Sequence, residues 1–423
     1  MPELRRRTRA LPLLLAAGFA AAQPAGAQLT VRLAAVPDGT PAGAAVHVAG
    51  SFNGWNPADS AYRLARRGGA WEVTLPDSVR GPVEFKFTLG SWETVEVDSA
   101  GGGVANRSFT VPATGAATYA GAVAAWRDPH TAPRPASTAT RSVAVLDTAF
   151  AMPELGRSRR VWVYLPPGYA ASGRRYPVLY MHDGQNVFDA ATAFAGEWGV
   201  DESLDSLHAL GDPGAIVVAV DHGGERRLDE YSPWVHPRHG GGQGDEYADF
   251  LVHTLKPYVD RRFRTRPDRA GTAVAGSSMG GLVSLYAALR HPEVFGRAAV
   301  FSPSLWFAAD SVLALARRSG PPRPGTRIYL VTGAREGDTP EAYVRDHRAL
   351  VDTLAAAGFA AGREVQAHVR ADGTHSERFW RREFPAAYLW LFGGPDARTG
   401  EPARPRIPLR KDAGPDGAPA DPA

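Results

Sequence analysis

The chain has 423 residues, of which 44% are hydrophobic and 22% charged, and its formal net charge is +3. This balance is typical of a globular protein with a buried core, and it excludes a fibrous or largely disordered chain. The sequence contains no cysteine, so disulfide bonds, thiolate catalysis and cysteine-ligated metal sites are excluded as well.

Residues 1–27 have the pattern of a secretory signal peptide. Four arginines precede a Leu- and Ala-rich stretch at 10–22, and the small residues Ala25 and Ala27 stand where a signal peptidase cuts. The apolar stretch is too short to span a bilayer. Removal of residues 1–27 takes away four Arg and one Glu, so the formal charge of the remaining chain falls from +3 to zero. We expect a secreted or periplasmic protein with no membrane span and no electrostatic attraction to nucleic acid.

Residues 28–111 have the pattern of a small all-β sandwich. Segments at 46–48, 71–75 and 83–87 are rich in β-branched and aromatic residues, and clusters of Gly, Pro, Asn and Asp separate them. The next residues, 112–141, are rich in Ala, Thr and Pro. This composition is typical of an interdomain linker.

Residues 142–393 alternate between apolar runs and helical patterns. Apolar residues recur at helical spacing in 247–259 and 281–290. Strands that alternate with helices predict an α/β domain whose mainly parallel sheet is covered on both faces. The final segment, 394–423, is dense in Pro, Asp, Arg and Ala and is predicted to be disordered. The apolar runs predicted as strands are 161–165, 178–181, 216–220, 272–275, 298–301, 328–331 and 365–369.

A glycine-flanked serine follows the predicted strand at 272–275. The sequence there is Gly-Ser-Ser-Met-Gly-Gly at 276–281, and a helical pattern begins at once. A nucleophile on a tight strand-to-helix turn needs small residues two positions before and after it, and Gly276 and Gly280 flank Ser278 in this way. The helix N-terminus also favours a developing oxyanion. We therefore predict that Ser278 is a nucleophile.

A serine hydroxyl needs a base, and the base needs an orienting acid. His375 lies in a polar turn after the last predicted strand, and it follows the serine and the acid in chain order. The turn after 328–331 contains Glu336, the predicted acid, and Asp338, the alternative. The competing histidines all precede the serine; they are His182, His222, His236 and His239.

Two backbone N–H groups are expected to bind the oxyanion. One is that of Met279, which follows the nucleophile. The other should come from the turn after the strand at 178–181, where the sequence reads Tyr-Met-His-Asp-Gly-Gln-Asn at 180–186. The donor there is Gly184 or Gln185, since a glycine lets the backbone approach the substrate.

Together, these motifs resemble the putative-esterase family of α/β-hydrolases, which contains esterase D, enterochelin esterases and the feruloyl and acetyl-xylan esterases. Two more segments carry the resemblance: Gly-Gly-Glu-Arg-Arg-Leu-Asp-Glu-Tyr-Ser-Pro-Trp at 223–234 and Phe-Ser-Pro-Ser-Leu-Trp at 301–306. The resemblance covers about residues 142–392. It implies the α/β-hydrolase fold and ester hydrolysis through an acyl-enzyme, with no metal or organic cofactor. Relatives usually have Asp as the acid, so Glu336 departs from the pattern.

The N-terminal region also resembles known modules, the glycogen-binding and isoamylase N-terminal domains, which are immunoglobulin-like sandwiches. The resemblance rests on Val-Ala-Gly-Ser-Phe-Asn-Gly-Trp at 48–55, Phe-Lys-Phe at 85–87 and Gly-Ser-Trp at 90–92. The sequence departs from the family at Leu89-Gly90, where Asp-Gly is usual. The alternative is a sandwich that packs on the hydrolase and binds no sugar. The positions that match glucan contacts are Trp55, Lys86, Trp92 and Asn106.

These expectations describe an exported serine esterase that acts on acyl or feruloyl esters of polysaccharides. The aromatic residues Trp306, Trp234 and Tyr231 are predicted to line the substrate pocket. The alternatives are a siderophore or other small-ester esterase, an acyltransferase, and a non-catalytic carbohydrate-binding protein. The oligomeric state is not predicted.

Overall fold

The computed structural model describes residues 28–127, 136–194, 196–337 and 339–393. The predicted signal peptide at 1–27 and the predicted disordered tail at 394–423 lie outside these residues. The chain divides into two compact units, Met1–His130 and Thr131–Ala423.

The first unit contains a four-stranded sheet in the order β3-β4-β1-β8, a three-stranded sheet in the order β2-β5-β7, and a small pair β6-β9. The predicted β segments correspond to β2, β4 and β5. The strands are β1 Gln28–Ala35, β2 His47–Gly50, β3 Ala65–Arg67, β4 Ala70–Thr74, β5 Gly81–Thr88, β6 Glu96–Val97, β7 Arg107–Val111, β8 Ala116–Ala122 and β9 Ala125–Trp126.

The two larger sheets share one hydrophobic core. Val83, Phe85 and Phe87 of β5 are buried because alternate residues of a strand point to one face, and they meet Leu29 and Val31 of β1. Burial of each large apolar side chain contributes roughly 1.5–3 kcal/mol. The first unit is therefore a β-sandwich, as the sequence predicts.

The predicted linker at 112–141 is wrong over its first part. β8 pairs in parallel with β1, in a register that begins at Gln28 and Ala116, so the sandwich extends to β9. The sequence of β8, Ala-Ala-Thr-Tyr-Ala-Gly-Ala, has one large side chain, which is why composition alone indicates a linker. Residues 136–141 belong to the second unit, where the N–H groups of Thr138 and Thr140 donate to Asp189 and Asp201.

The second unit is built on an eight-stranded sheet in the order β10-β11-β13-β12-β16-β17-β18-β19. The β10–β11 and β11–β13 pairs are antiparallel and the other pairs are parallel. Each predicted apolar run lies on one of these strands, and the mainly parallel α/β fold is confirmed. The strands are β10 Val143–Met152, β11 Arg157–Tyr164, β12 Val178–His182, β13 Ile216–Val220, β16 Thr272–Ser277, β17 Arg297–Phe301, β18 Arg327–Gly333 and β19 Val365–Arg370, with a separate hairpin of β14 Val235–His236 and β15 Gly240–Gly241.

Helices cover both faces of this sheet. Val178 and Tyr180 of β12 pack in one core with α5, whereas Leu179 and Met181 pack on the other face with α1 and α8. Burial on both faces explains why the strands are almost wholly apolar. Among the described residues, the helices are too short or too polar to cross a membrane. The helices are α1 Val200–Ala209, α2 Arg227–Glu230, α3 Gly244–Asp249, α4 Lys256–Arg262, α5 Met279–Arg290, α6 Ala309–Arg318, α7 Pro340–Ala356 and α8 Glu377–Phe392.

The sandwich boundary can be tested by expressing two fragments of the first unit. Residues 28–127 should unfold cooperatively on heating. Residues 28–111 should melt at a lower temperature or not fold, because β1 loses its parallel partner and the core loses Val123. Circular dichroism melting of both fragments measures the difference. Equal melting temperatures would place the boundary at Val111, where the sequence alone suggests it.

Candidate active site

Ser278 lies at the junction of β16 and α5 in a backbone conformation that residues other than glycine rarely adopt. Its φ is 57° and its ψ is −123°. Three hydrogen bonds hold this conformation: the Ser278 N–H donates to the Phe301 carbonyl, and the Ser278 carbonyl accepts from the N–H groups of Leu282 and Ser304, all at 3.0 Å. A strained serine on a strand-to-helix turn projects its hydroxyl away from the sheet.

Close backbone approaches require glycine at positions 276 and 281 of the serine turn, and Gly280 faces the Asp183 side chain. A Cβ on Gly276 would lie 2.7 Å from the backbone of Gly280, and a Cβ on Gly281 would lie 2.8 Å from the carbonyl oxygen of Phe301. A Cβ on Gly280 would lie 3.1 Å from Oδ2 of Asp183. The predicted oxyanion turn therefore lies directly beside the serine turn.

Glu336 and His375 meet at the carboxyl end of the sheet. The Nδ1 atom of His375 is 3.1 Å from Oε2 of Glu336. Glu336 is fully buried, whereas the His375 side chain is 26% exposed. Since a carboxylate oxygen can only accept, the contact favours the Nδ1–H tautomer and leaves Nε2 available to a neighbouring hydroxyl. The alternative acid, Asp338, lies outside the described residues.

Side chains that sequence reasoning missed hold Glu336 in place. The hydroxyl of Ser302 and the N–H of Gly333 both donate to Oε1 of Glu336 at 2.5 Å. The Trp380 indole N–H donates to the Ser302 hydroxyl at 2.9 Å, and its ring meets the His375 ring edge to face at 5.0 Å. Ser302 lies within the segment 301–306, so that motif was a signal. Trp380 lies on α8, where no local pattern marks it.

The hydroxyl of Ser278 has a partner other than the histidine. Its Oγ atom is 3.0 Å from Oγ of Ser304, which is itself buried. In the part of the chain that the structure describes, no hydrogen bond joins Ser278 to His375. Hydrogen bonds between catalytic groups are often longer or absent in an unliganded enzyme and form when substrate binds.

The predicted oxyanion donors lie at the starts of two helical turns. Met279 is the first residue of α5, and Gly184 and Gln185 open a short 3-10 turn, Gly184–Asn186. The first N–H groups of a helix have no acceptor within it, so all three can donate to a substrate. A Cβ on Gly184 would lie 2.9 Å from the Val220 backbone, which explains the glycine.

Asp183, the residue before this turn, has its own unusual conformation and a buried ion pair. Its φ is 57°, and its N–H donates to the Tyr231 hydroxyl at 3.1 Å. Arg227 donates to both carboxylate oxygens, at 2.7 and 2.8 Å. Burial alone would raise the pKa of Asp183, but the Arg227 guanidinium brings that pKa below its ordinary value. Neither Asp183 nor Arg227 was predicted as a site residue.

The competing histidines occupy other environments. His182 is buried and its Nδ1 is 2.9 Å from the Tyr247 hydroxyl; burial lowers its pKa to about 4. The His222 Nδ1 accepts the Gly224 N–H at 2.8 Å, and burial lowers its pKa too. The rings of His236 and His239, on the β14–β15 hairpin, are 4.5 Å apart and inclined at 33°. Of the five histidines considered, His375 has a carboxylate at hydrogen-bonding distance.

A comparison with protein families decides the class. The model of the family described as "Putative esterase" matches residues 152–391, more than half of the chain. The chain belongs to this family. It is therefore a carboxylic ester hydrolase, and a serine nucleophile is typical of its relatives.

Three curated relatives illustrate the range of similar proteins. The "Iron(III) enterobactin esterase" of Dickeya dadantii is 29% identical over 267 residues, 58% of this chain and 54% of that one. The "Endo-1,4-beta-xylanase/feruloyl esterase" of Xylanibacter ruminicola is 28% identical over 232 residues, 54% and 28% of the two chains. The "Alpha-amylase" of Niallia circulans is 44% identical over 107 residues, 25% and 8%. The chain thus spans about half or less of the length of these relatives.

The three predicted pocket residues differ in exposure. Tyr231 is fully buried, which corrects its assignment: it supports the backbone of Asp183 instead of lining an open pocket. Trp234 is half-buried, and its ring meets Tyr286 edge to face at 5.6 Å. Trp306 is 43% exposed and lies two residues after Ser304, so it remains a candidate for substrate contact.

In the esterase's N-terminal sandwich, the two predicted sugar-binding tryptophans are neighbours. The rings of Trp55 and Trp92 are 6.2 Å apart and inclined at 38°. The Lys86 ammonium donates to the Val104 carbonyl, and burial lowers its pKa. The Asn106 amide donates to Glu84 at 3.1 Å. Within the described ranges, no three His, Asp or Glu side chains cluster closely enough to hold a metal ion.

The role of Glu336 as the acid that orients His375 can be tested by substitution. Glu336→Gln should lower kcat by about 10³ to 10⁴-fold with little change in KM, because the amide no longer holds the histidine in the required tautomer. Asp338→Asn is the matched control and should have a much smaller effect. Steady-state kinetics on p-nitrophenyl acetate measure both. The reverse ranking would move the acid to Asp338, and near-wild-type rates for both would leave a Ser-His dyad.

Proposed function

We propose that this esterase works through an acyl-enzyme formed on Ser278. The observation that carries the proposal is the contact of buried Glu336 with His375 in the domain whose strand β16 ends at Ser278, a serine in a strained strand-to-helix turn. The Ser278 oxygen attacks the acyl carbon as its proton passes to Nε2 of His375. His375 then returns a proton to the departing alcohol, and water repeats the sequence to release the acid.

The attacking hydroxyl must turn from Ser304 towards His375. In this mechanism, a rotation about the Cα–Cβ bond of Ser278 releases Ser304 and frees the hydroxyl for His375, since serine rotamers interconvert rapidly. The Ser304 hydroxyl then keeps the space beside Ser278 polar. By this rotation, Ser278 can attack the substrate although its hydroxyl is hydrogen-bonded to Ser304 in the free enzyme.

The oxyanion is expected to bind the N–H of Met279 together with that of Gly184 or Gln185. Two observations support this role. These N–H groups open helical turns and have no acceptor within them. The two turns are adjacent, since Asp183 lies against Gly280. Donors held in place before the reaction stabilise the transition state without the cost of reorganisation.

For the substrate, we favour acyl or feruloyl esters of polysaccharides outside the cytoplasm. The paired rings of Trp55 and Trp92 support sugar binding, because aromatic faces suit the C–H surfaces of sugars. Relatives named as an alpha-amylase and as a xylanase and feruloyl esterase point the same way. The leader pattern at 1–27 supports export.

A siderophore ester is the second candidate substrate. The similarity to the enterobactin esterase of Dickeya dadantii favours it. That hypothesis gives the tryptophan pair no role in substrate binding. A comparison of polysaccharide esters with a catecholate ester therefore separates the two candidates.

The nucleophile can be tested by substitution and by labelling. Ser278→Ala should abolish ester cleavage and leave the fold intact, because alanine fits the turn but cannot form an acyl-enzyme. A fluorophosphonate probe should label Ser278 alone, as judged by peptide mass spectrometry. Ser277→Ala is the matched control and should keep both activity and labelling. Labelling of Ser277, or full activity in Ser278→Ala, would refute the assignment.

The tryptophan pair provides the test of the polysaccharide hypothesis. The double variant Trp55→Ala/Trp92→Ala should weaken retention on insoluble xylan or glucan and slow the release of ferulate from that material. Cleavage of soluble p-nitrophenyl acetate should stay unchanged. Trp71→Ala, on β4 and partly packed against the core, controls for loss of sandwich stability. Absence of retention in the intact protein, or fastest turnover on a catecholate ester, would contradict the hypothesis.

A further inference from the structure

We propose that Arg227 is a positioning residue for the oxyanion site, and that it acts by clamping Asp183. The inference deepens the proposed function and rests on it. It also assigns a role to the segment 223–234, to which the Ser-His-Glu chemistry gives none.

The backbone conformation of Asp183 sets the direction of the turn that follows it. Its left-handed conformation, φ 57° and ψ 47°, reverses the chain between β12 and the 3-10 turn, and so aims the N–H groups of Gly184 and Gln185. Residues with a side chain seldom adopt this conformation without support. The support comes from one segment: the Tyr231 hydroxyl accepts the Asp183 N–H, and Arg227 binds both carboxylate oxygens.

The negative charge of the Asp183 carboxylate lies close to the proposed oxyanion site. The Asp183 carboxylate is buried and lies against Gly280, the second residue of α5. An uncompensated negative charge there would oppose an oxyanion that develops beside the same helix N-terminus. The two hydrogen bonds from Arg227 neutralise the charge of the Asp183 carboxylate and fix the orientation of that group. The guanidinium thus removes a repulsion that would grow during the reaction.

Arg227 is itself held in place by contacts of its own segment. It begins the short helix α2, whose last residue, Glu230, is fully buried and accepts from Arg157 at 2.6 Å and from Arg159. The Arg227 guanidinium also lies over the Tyr231 ring, 5.1 Å from its centre. The segment 223–234 therefore joins strand β11 on one side to the oxyanion turn on the other.

A merely structural ion pair would affect folding, whereas a positioning residue affects the transition state. Arg227→Met should lower kcat on p-nitrophenyl acetate by about 10²-fold, comparable to the loss of one oxyanion donor, with KM changed by less than about threefold. A trifluoromethyl ketone, whose adduct with the serine carries an oxyanion, should bind more weakly by a similar factor. Arg226→Met is the matched control: that side chain is 62% exposed, and its contact to Asp229 is 3.6 Å.

Two conservative variants keep the inference testable if Arg227→Met does not fold. Arg227→Lys keeps the charge but not the two-point contact, so it should recover part of the lost kcat. Tyr231→Phe keeps the ring but removes the acceptor of the Asp183 N–H, so kcat and ketone affinity should fall together, by a smaller factor. Thermal melting of each variant measures its stability separately.

The outcomes are distinct. Near-wild-type kcat in Arg227→Met, or a fall in melting temperature with unchanged ketone affinity in the folded variants, would overturn the positioning role. Failure of the proposed function is a separate result: fluorophosphonate would not label Ser278 even in the unsubstituted protein. Labelling of Ser278 with no effect of Arg227→Met refutes the positioning inference alone.

Discussion

The left-handed backbone of Ser278 is the constraint around which the esterase domain is arranged. It exists because β16 passes into α5 within one residue, and nearby backbone then approaches too closely for a Cβ atom at Gly276 or Gly281. Carbonyl and N–H groups of the 301–306 segment hold the turn from one side, and the Asp183 turn lies against it from the other. The strain is thus distributed over contacts from three strand ends, which is how an unfavourable conformation persists in a folded protein.

These contacts also separate what the sequence could predict from what it could not. Apolar runs identify parallel strands because both faces are buried, and Gly276 and Gly280 identify the serine turn because the requirement is local. Glu336 is predicted from its place in the turn after 328–331, where the sequence alone leaves Asp338 as an alternative. The partners Trp380 and Arg227 could not be predicted in these roles, because each reaches its target from a distant element. Composition indicates a linker where β8 lies, because the pairing of β8 with β1 uses backbone hydrogen bonds that leave little trace in composition.

The two buried carboxylates of the site have hydrogen-bonding or charged partners, and each arrangement holds a group of the site in place. Glu336 is satisfied by Ser302, Gly333 and His375, whereas Asp183 is satisfied by Arg227. An unpaired buried carboxylate would be costly. By our proposal, the Glu336 arrangement orients the general base and the Asp183 arrangement orients the oxyanion donors. The chain belongs to an esterase family, and these two arrangements account for how its own residues can perform that chemistry.

The proposed mechanism requires that the acyl group of the substrate is transferred to Ser278. The most direct measurement is peptide mass spectrometry of the protein after acid quenching during turnover of p-nitrophenyl acetate, with Glu336→Gln included so that the intermediate decays slowly. One added acetyl group is expected on the peptide that contains Ser278, and it should be lost when the reaction is allowed to finish. Turnover with no acetylated peptide, or with the acetyl group on another residue, would contradict the proposed mechanism.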